Sequence, residues 1–133
     1  MEAQAGRQRL EALGSRYLWI AYHDYAGVAR AKAVGRERLD DALGEGVGWA
    51  KANWDLAITD HQVPEPGYGA DSGDFRLVPD PSTIRPWPVR DRTALAYGWL
   101  TEPDGTPWPG DAGRGGRAAV RRPRARGAGR HRS

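Results

Sequence analysis

The sequence predicts an α+β domain, a small mixed sheet with one packed helix, followed by a basic tail of a different kind. Three observations lead there. Two runs of aromatic and branched residues, Tyr17 to Asp24 and Ala94 to Leu100, have strand length and strand composition. Phe75 and Leu77 alternate with Asp74 and Arg76, the period of a strand with one buried face. Between them, Arg36 to Leu43 sets Leu39, Ala42 and Leu43 on one helical face.

At 133 residues a single domain is the natural expectation. The chain has no cysteine, which excludes disulfides and thiolate zinc sites. Its longest apolar run, Tyr17 to Tyr22, is far short of the ~18 residues of a membrane span. No basic-then-apolar leader opens the chain, so a cytoplasmic protein with no membrane association is expected.

The formal net charge of +3 conceals an asymmetry. Residues 111–133 hold eight arginines and one aspartate, net +7; residues 1–110 hold 12 basic and 16 acidic side chains, net −4. Every tryptophan and tyrosine lies before residue 111. The division that follows is 1–14, an N-terminal helix or frayed segment; 15–111, the folded domain; and 112–133, an Arg/Gly/Ala-rich tail. The tail has no apolar period and is expected to be disordered, because it has too little apolar surface to offset its ordering entropy.

In chain order, Leu10 and Leu13 sit at helical spacing, and Gly14-Ser15 supplies a stop. Tyr17 to Asp24 is a strand; Tyr25-Ala26-Gly27 turns the chain, and Val28 to Val34 returns it as a hairpin. Gly35 ends that strand, the 36–43 helix follows, and Gly44 is the expected C-terminal cap. Residues 44–73 read as a long glycine- and proline-rich loop with a short strand at Leu56 to Thr59, and loops this long are usually functional. Beyond Ala94 to Leu100, the run Glu102 to Thr106 is a turn centred on Asp-Gly, and Trp108 is expected to open a return strand.

The organising stretch runs from Ser72 to Trp87. Its apolar run is broken at Pro79-Asp80-Pro81-Ser82-Thr83 and resumes at Ile84. Prolines lack a backbone donor and fix their own φ, so the stretch reads as strand, rigid corner, strand. The block Leu77-Val78-Pro79-Asp80-Pro81-Ser82-Thr83 resembles a signature of the N-terminal domain of glutamine synthetases. Asp24-Tyr25-Ala26-Gly27, Gly46-Val47-Gly48-Trp49 and Pro107-Trp108-Pro109-Gly110-Asp111 support it, and the resemblance spans about Tyr17 to Asp111. Lys51-Ala52-Asn53-Trp54 and Asp60-His61 look closer to the glutamine-synthetase-like ligases that act on amines other than ammonia (the γ-glutamylamine ligase type).

The resemblance implies a β-grasp fold and a role in an ATP-dependent carboxylate–amine ligase of glutamine and nitrogen metabolism. In that family the nucleotide and the Mg or Mn ions belong to a larger C-terminal domain. No cofactor is therefore expected in this chain, ATP and metal only in the full-length family enzyme, and the chain is expected to be inactive alone. The β-grasp domain lends a loop to the active site of the neighbouring subunit, which implies a homo-oligomer or other synthetase subunits as partners. The family's loop aspartate follows an aromatic residue; here Ala50 follows Trp49, so ammonium itself is not the expected substrate. Asp74 matches the family's second loop acid and is the candidate catalytic residue, as an amine or cation contact at a subunit interface. Trp49, Asn53 and Trp54 are candidate interface residues of the loop.

Each residue also has a plainer reading. Asp74 can equally cap local backbone amides. Asp80 is a turn former. His23 and His61, beside Asp24 and Asp60, make local hydrogen bonds rather than a metal site. Gly44 to Gly48 lacks the residues of a phosphate loop. The tail has two readings: a basic arm holding nucleic acid weakly and without sequence preference, or shifted-frame text from GC-rich DNA, with the ligase reading frame cut off near Asp111. Two functions follow: a ligase N-terminal domain, or a stand-alone module binding synthetase subunits or nucleic acid.

Overall fold

The first strand fixes the rest. In β1 (Tyr17–His23), Leu18, Ile20 and Tyr22 are buried, so alternate side chains of one strand already define an inner face. β2 (Ala29–Gly35) pairs antiparallel with β1, and β6 (Thr93–Thr101) pairs parallel on its other side. β4 (Asp74–Pro79) and β5 (Arg85–Pro86) run antiparallel to β6, and β3 (Val47–Ala50) pairs with β4 at the edge. The sheet order is β2-β1-β6-β4-β3 with β5 beside β6: a mixed, β-grasp-like α+β fold. The coordinates, a computed structural model, describe residues 2–111; the readings of the tail at 112–133 lie outside them.

Two helices, not one, cover the inner face. α2 (Leu39–Glu45), entered through a 3-10 turn at Arg36–Arg38, buries Leu39, Ala42 and Leu43 as its spacing predicts. α1 (Glu2–Ala12) is not a frayed end: Leu10 is 2% exposed, and Arg7 links Glu11 (3.2 Å) to Asp40 of α2. Gly6 permits the approach, since a Cβ there would lie 2.9 Å from Leu43 Cδ2. With Phe75, Leu77, Ile84, Ala94, Ala96 and Leu100, these side chains form one core. Among the described residues no helix is long and apolar enough to cross a membrane.

The strand–corner–strand reading holds. β4 pairs with residues 98–101 of β6, a 3-10 turn at Pro81–Thr83 intervenes, and β5 pairs with Ala94 and Leu95. Asp80 is the turn former, its Oδ1 accepting from Ser82 N (3.0 Å) and Ser82 Oγ (2.6 Å). Thr83 Oγ1 donates to Asp80 O (2.7 Å) and accepts from Tyr97 N (2.9 Å), which pins the corner to β6.

Four local expectations differ. Gly44 remains inside α2; the cap is Gly46, whose φ of 75° and ψ of −171° suit only glycine. The 44–73 segment is not all loop, because β3 and a 3-10 turn at Lys51–Asp55 lie within it. Leu56 to Thr59 forms no strand: Asp60 adopts φ 60° and folds the chain back, leaving one bridge between Leu56 and Gln62. Trp108 starts no strand either, since Pro107 and Pro109 flank it without backbone donors, and only a Thr101–Pro107 bridge forms.

Candidate functional site

The predicted site residues gather at the β3–β4 edge and the turn that follows β3. Pairing of β3 with β4 sets Ala50 directly opposite Asp74, and Trp49 opposite Phe75. In an antiparallel pair, opposed residues share a face. Trp49 and Phe75 therefore turn inward, while Ala50 and Asp74 share the other side at the open end of the ladder.

Asp74 is exposed and has no hydrogen bond or ion pair among the described residues. Its carboxylate reaches over β3: a Cβ added at Gly48 would lie 3.3 Å from Asp74 Oδ2 and 3.8 Å from Arg76 Nη1. Arg76 is itself occupied, donating to the carbonyls of Glu45 (3.1 Å) and Gly46 (2.8 Å). Lys51 pairs with Glu102 at 2.8 Å and sits 4.9 Å from the Phe75 ring centroid. Among the described residues Asp74 thus presents an unspent carboxylate, beside a methyl side chain that neither donates nor accepts.

The three loop residues separate in the structure. Trp54 is buried, stacked on Tyr22 (5.5 Å between centroids) and edge-on to Tyr25 (5.0 Å) and Trp108 (4.6 Å). It is a structural member of the aromatic cluster. Trp49 is half-buried, edge-on to Tyr22 at 5.2 Å. Tyr22 Oη and Trp49 Nε1 are both buried and lie near each other without a well-formed hydrogen bond among the described residues. Burial pushes the Tyr22 phenol upward, so it stays protonated at neutral pH. Asn53, half-buried with no side-chain hydrogen bond among the described residues, lines a pocket of about 340 Å³ with Trp49, Arg30, Leu56 and Asp60.

Sequence reasoning passed over Arg30. Its guanidinium is 12% exposed and bridges Asp24 (2.6 Å) and Asp60 (2.8 Å). Burial works against ionisation of Asp24, but the hydrogen bonds from Arg30 and Val28 N outweigh it and hold the carboxyl below its ordinary range. A signal was present: Arg30, Lys32 and Val34 share one strand parity, so Arg30 and Lys32 fall on the inward side of an edge strand, a device that discourages edge pairing. Lys32 Nζ donates to Gly48 O at 2.9 Å. Of the described histidines, His61 makes a local contact, its Nδ1 lying 2.9 Å from Thr59 O, whereas His23 stacks on Tyr97 of β6 in place of the expected local hydrogen bond. Among the described residues no three His, Asp or Glu side chains converge as a metal site would need.

The fold is thus a small β-grasp-like α+β domain with an exposed acid, Asp74, on a sheet edge beside a long connection. The chain belongs to the glutamine synthetase N-terminal domain family, whose model matches residues 7–108. The match starts ten residues before the motif resemblance does, taking in much of α1. Among solved structures, a novel glutamine synthase homolog is 35% identical, with a TM-score of 0.59 over 71% of this chain and 23% of that one. A GmaS–ADP complex is 22% identical, with a TM-score of 0.61 over 82% of this chain and 22% of its own. GmaS without ligand is 23% identical, with a TM-score of 0.60 over 80% and 22%. The chain thus spans less than a quarter of these proteins' length. No curated protein matches it.

Proposed function

We propose that residues 15–111 act as the N-terminal domain of a glutamine-synthetase-like ATP-dependent carboxylate–amine ligase, lending the β3–β4 edge to an active site completed by a neighbouring subunit. Asp74 is the contact for the amine or ammonium group. The observation that carries this reading is the register that sets the exposed Asp74 carboxylate, without a polar partner among the described residues, opposite Ala50. One exposed carboxylate balances one ammonium charge, and the short Ala50 side chain leaves room for a substituent on the amine nitrogen. The reading therefore favours a substituted amine over ammonia, with a γ-glutamylamine as product. ATP and Mg or Mn belong to the complementing part of the ligase.

The test is complementation. The chain is co-expressed with a glutamine-synthetase-family catalytic domain, and glutamate- and amine-dependent ADP release is measured for alkylamines and ammonia. Asp74→Asn is expected to raise the amine KM at least tenfold, the effect of removing a charge-assisted contact of about 1.4 kcal/mol or more. Ala50→Asp is expected to shift preference toward ammonia. An amine KM unchanged in Asp74→Asn ends the assignment of that residue, and failure to associate with any catalytic domain of the family ends the subunit reading.

A further inference from the structure

We propose that Arg30 is a positioning residue that fixes the 56–63 segment, and with it one wall of the Trp49–Asn53 pocket, against the sheet. Only its use in a ligase rests on the functional reading above; the latch itself stands on geometry. The segment hangs from the fold by little. Within it, Ala57 N donates to His61 O (2.8 Å), Asp60 N to Ala57 O (2.9 Å), and Val63 N to Asp55 O (2.9 Å), contacts that shape the segment without attaching it to the strands. Gln62 Nε2 reaches Tyr68 O, also on the long connection. Among the described residues, the polar contacts joining 56–63 to the sheet both come from Arg30: Nη1 to Asp60 Oδ1 at 2.8 Å, and Nη2 to Ala57 O at 3.5 Å.

The guanidinium is divided between two tasks. Its inner edge is spent on Asp24, whose side chain is 1% exposed and whose other oxygen accepts Val28 N at 2.9 Å. That half is anchored in the β1–β2 turn. The outer half holds Asp60, 72% exposed and in the left-handed region at φ 60°. A planar fork with fixed donor directions serves both carboxylates at once; an ammonium on a flexible stem does not. The left-handed backbone at Asp60, which aspartate tolerates better than most residues, is shaped by the Asp60–Ala57 and Ala57–His61 backbone bonds, and the Arg30 contact holds that turn against the sheet. Losing the outer half frees Asp60 and Leu56, which line the pocket together with Val28 and Ala31.

Amide hydrogen exchange on the full chain tests this without ligase chemistry, so its failure and that of the functional reading are distinguishable. In Asp60→Asn the amides of Ala57, Asp60 and Val63 are expected to exchange about two- to fivefold faster, the range an exposed ion pair supports. Amides of β1 and β6 should stay as they were. Asp60→Glu should restore protection, Arg30→Lys should not, and high salt should bring the wild type to the Asp60→Asn rate. Unchanged exchange at those three amides in Asp60→Asn overturns the proposal. So does an equal rise in β1 and β6, which would mean a global loss of stability instead of a released segment.

Discussion

Replacing Gly46 with alanine tests where α2 ends, and a matched change at Gly44 calibrates it. Gly46 has φ 75° and ψ −171°, a conformation that costs a residue with a Cβ about 1–3 kcal/mol. The Cβ would also fall 2.6 Å from Leu77 O and 2.9 Å from Leu77 C, backbone atoms of a fully buried β4 position. Relieving that contact requires β4 or the α2–β3 corner to move, so about 3 kcal/mol is a fair minimum for the sum. For a domain of this size that lowers Tm by about 12–24 °C. Gly44 lies inside α2 with nothing within 4 Å of a built Cβ. Gly44→Ala should therefore stabilise by about 0.5–1 kcal/mol through lower unfolded-state entropy and better helix propensity. Thermal unfolding followed by far-ultraviolet circular dichroism reads both. Opposite shifts are expected. A Gly46→Ala protein as stable as the wild type, or a Gly44→Ala protein that is the weaker of the two, refutes the placement of the cap.

Four further outcomes follow from the packing. Phe75→Ala removes a fully buried ring tilted against Trp108 at 4.5 Å; a urea midpoint shift worth about 3–5 kcal/mol with an unchanged slope is expected, and a loss under 1 kcal/mol would contradict its central place. Tyr22→Phe deletes a buried hydroxyl that meets Trp49 Nε1 without a well-formed hydrogen bond, so stability should change by less than about 1 kcal/mol, and a larger fall in Tm would show that the Tyr22–Trp49 contact is a working hydrogen bond. Asp24 has its folded pKa depressed, so its contribution is present above the ordinary carboxylate value of ~4 and is lost as pH falls through the folded pKa; acid titration of Asp24→Asn should lack that part of the loss, and a profile parallel to the wild type would rule Asp24 out as its source. Arg30→Met strands the Asp24 carboxylate in a buried place and should cost about 3–5 kcal/mol by chemical unfolding, with Arg30→Met/Asp24→Leu recovering much of it; no recovery would mean the loss is not that of the pair.

Most strands were legible because their information is local. The alternation of Phe75 and Leu77, and the aromatic run after Tyr17, need no partner to be read. The Pro79-Asp80-Pro81 corner was legible for the same reason: proline and an Asx-type side chain impose the turn from within. β3 was not, because Val47-Gly48-Trp49-Ala50 has two weak strand formers in four residues, and its conformation comes from the β4 ladder. The two-residue error at the α2 cap has a similar source. Gly44 and Gly46 both look like caps, and the choice falls to Gly46 because only there is φ positive and the backbone so near β4 that an added Cβ would lie 2.6 Å from Leu77 O. α1 was underestimated because its sequence offers few apolar residues. The missing information is a glycine, Gly6, that lets a weakly apolar helix approach Leu43 closely enough to bury Leu10.

The candidate site follows the same division. Asp74 could be singled out from its motif, but the ligand contact proposed for it depends on what surrounds it, and that is a property of register. A one-residue slip of β3 against β4 would set Trp49 or Lys51 opposite Asp74 in place of Ala50, giving it an indole or a competing ammonium. The register is held at one end by the closely packed Gly46 and at the other by Lys51 N donating to Gly73 O (3.0 Å), with Lys51 Nζ drawn off to Glu102. That diversion matters for the charge balance. Tied to Glu102 and the Phe75 ring, the Lys51 ammonium is held on the inner side of the pair, away from Asp74; released at the open end of the ladder, it could swing round and satisfy the carboxylate internally. Glu102→Gln should therefore free Lys51 and weaken amine binding at Asp74 without touching the Ala50–Asp74 pair. Chemical-shift titration of the full chain with methylammonium measures this. A Glu102→Gln protein whose Asp74 response to methylammonium equals the wild type's would show that Lys51 has no part in keeping the carboxylate open.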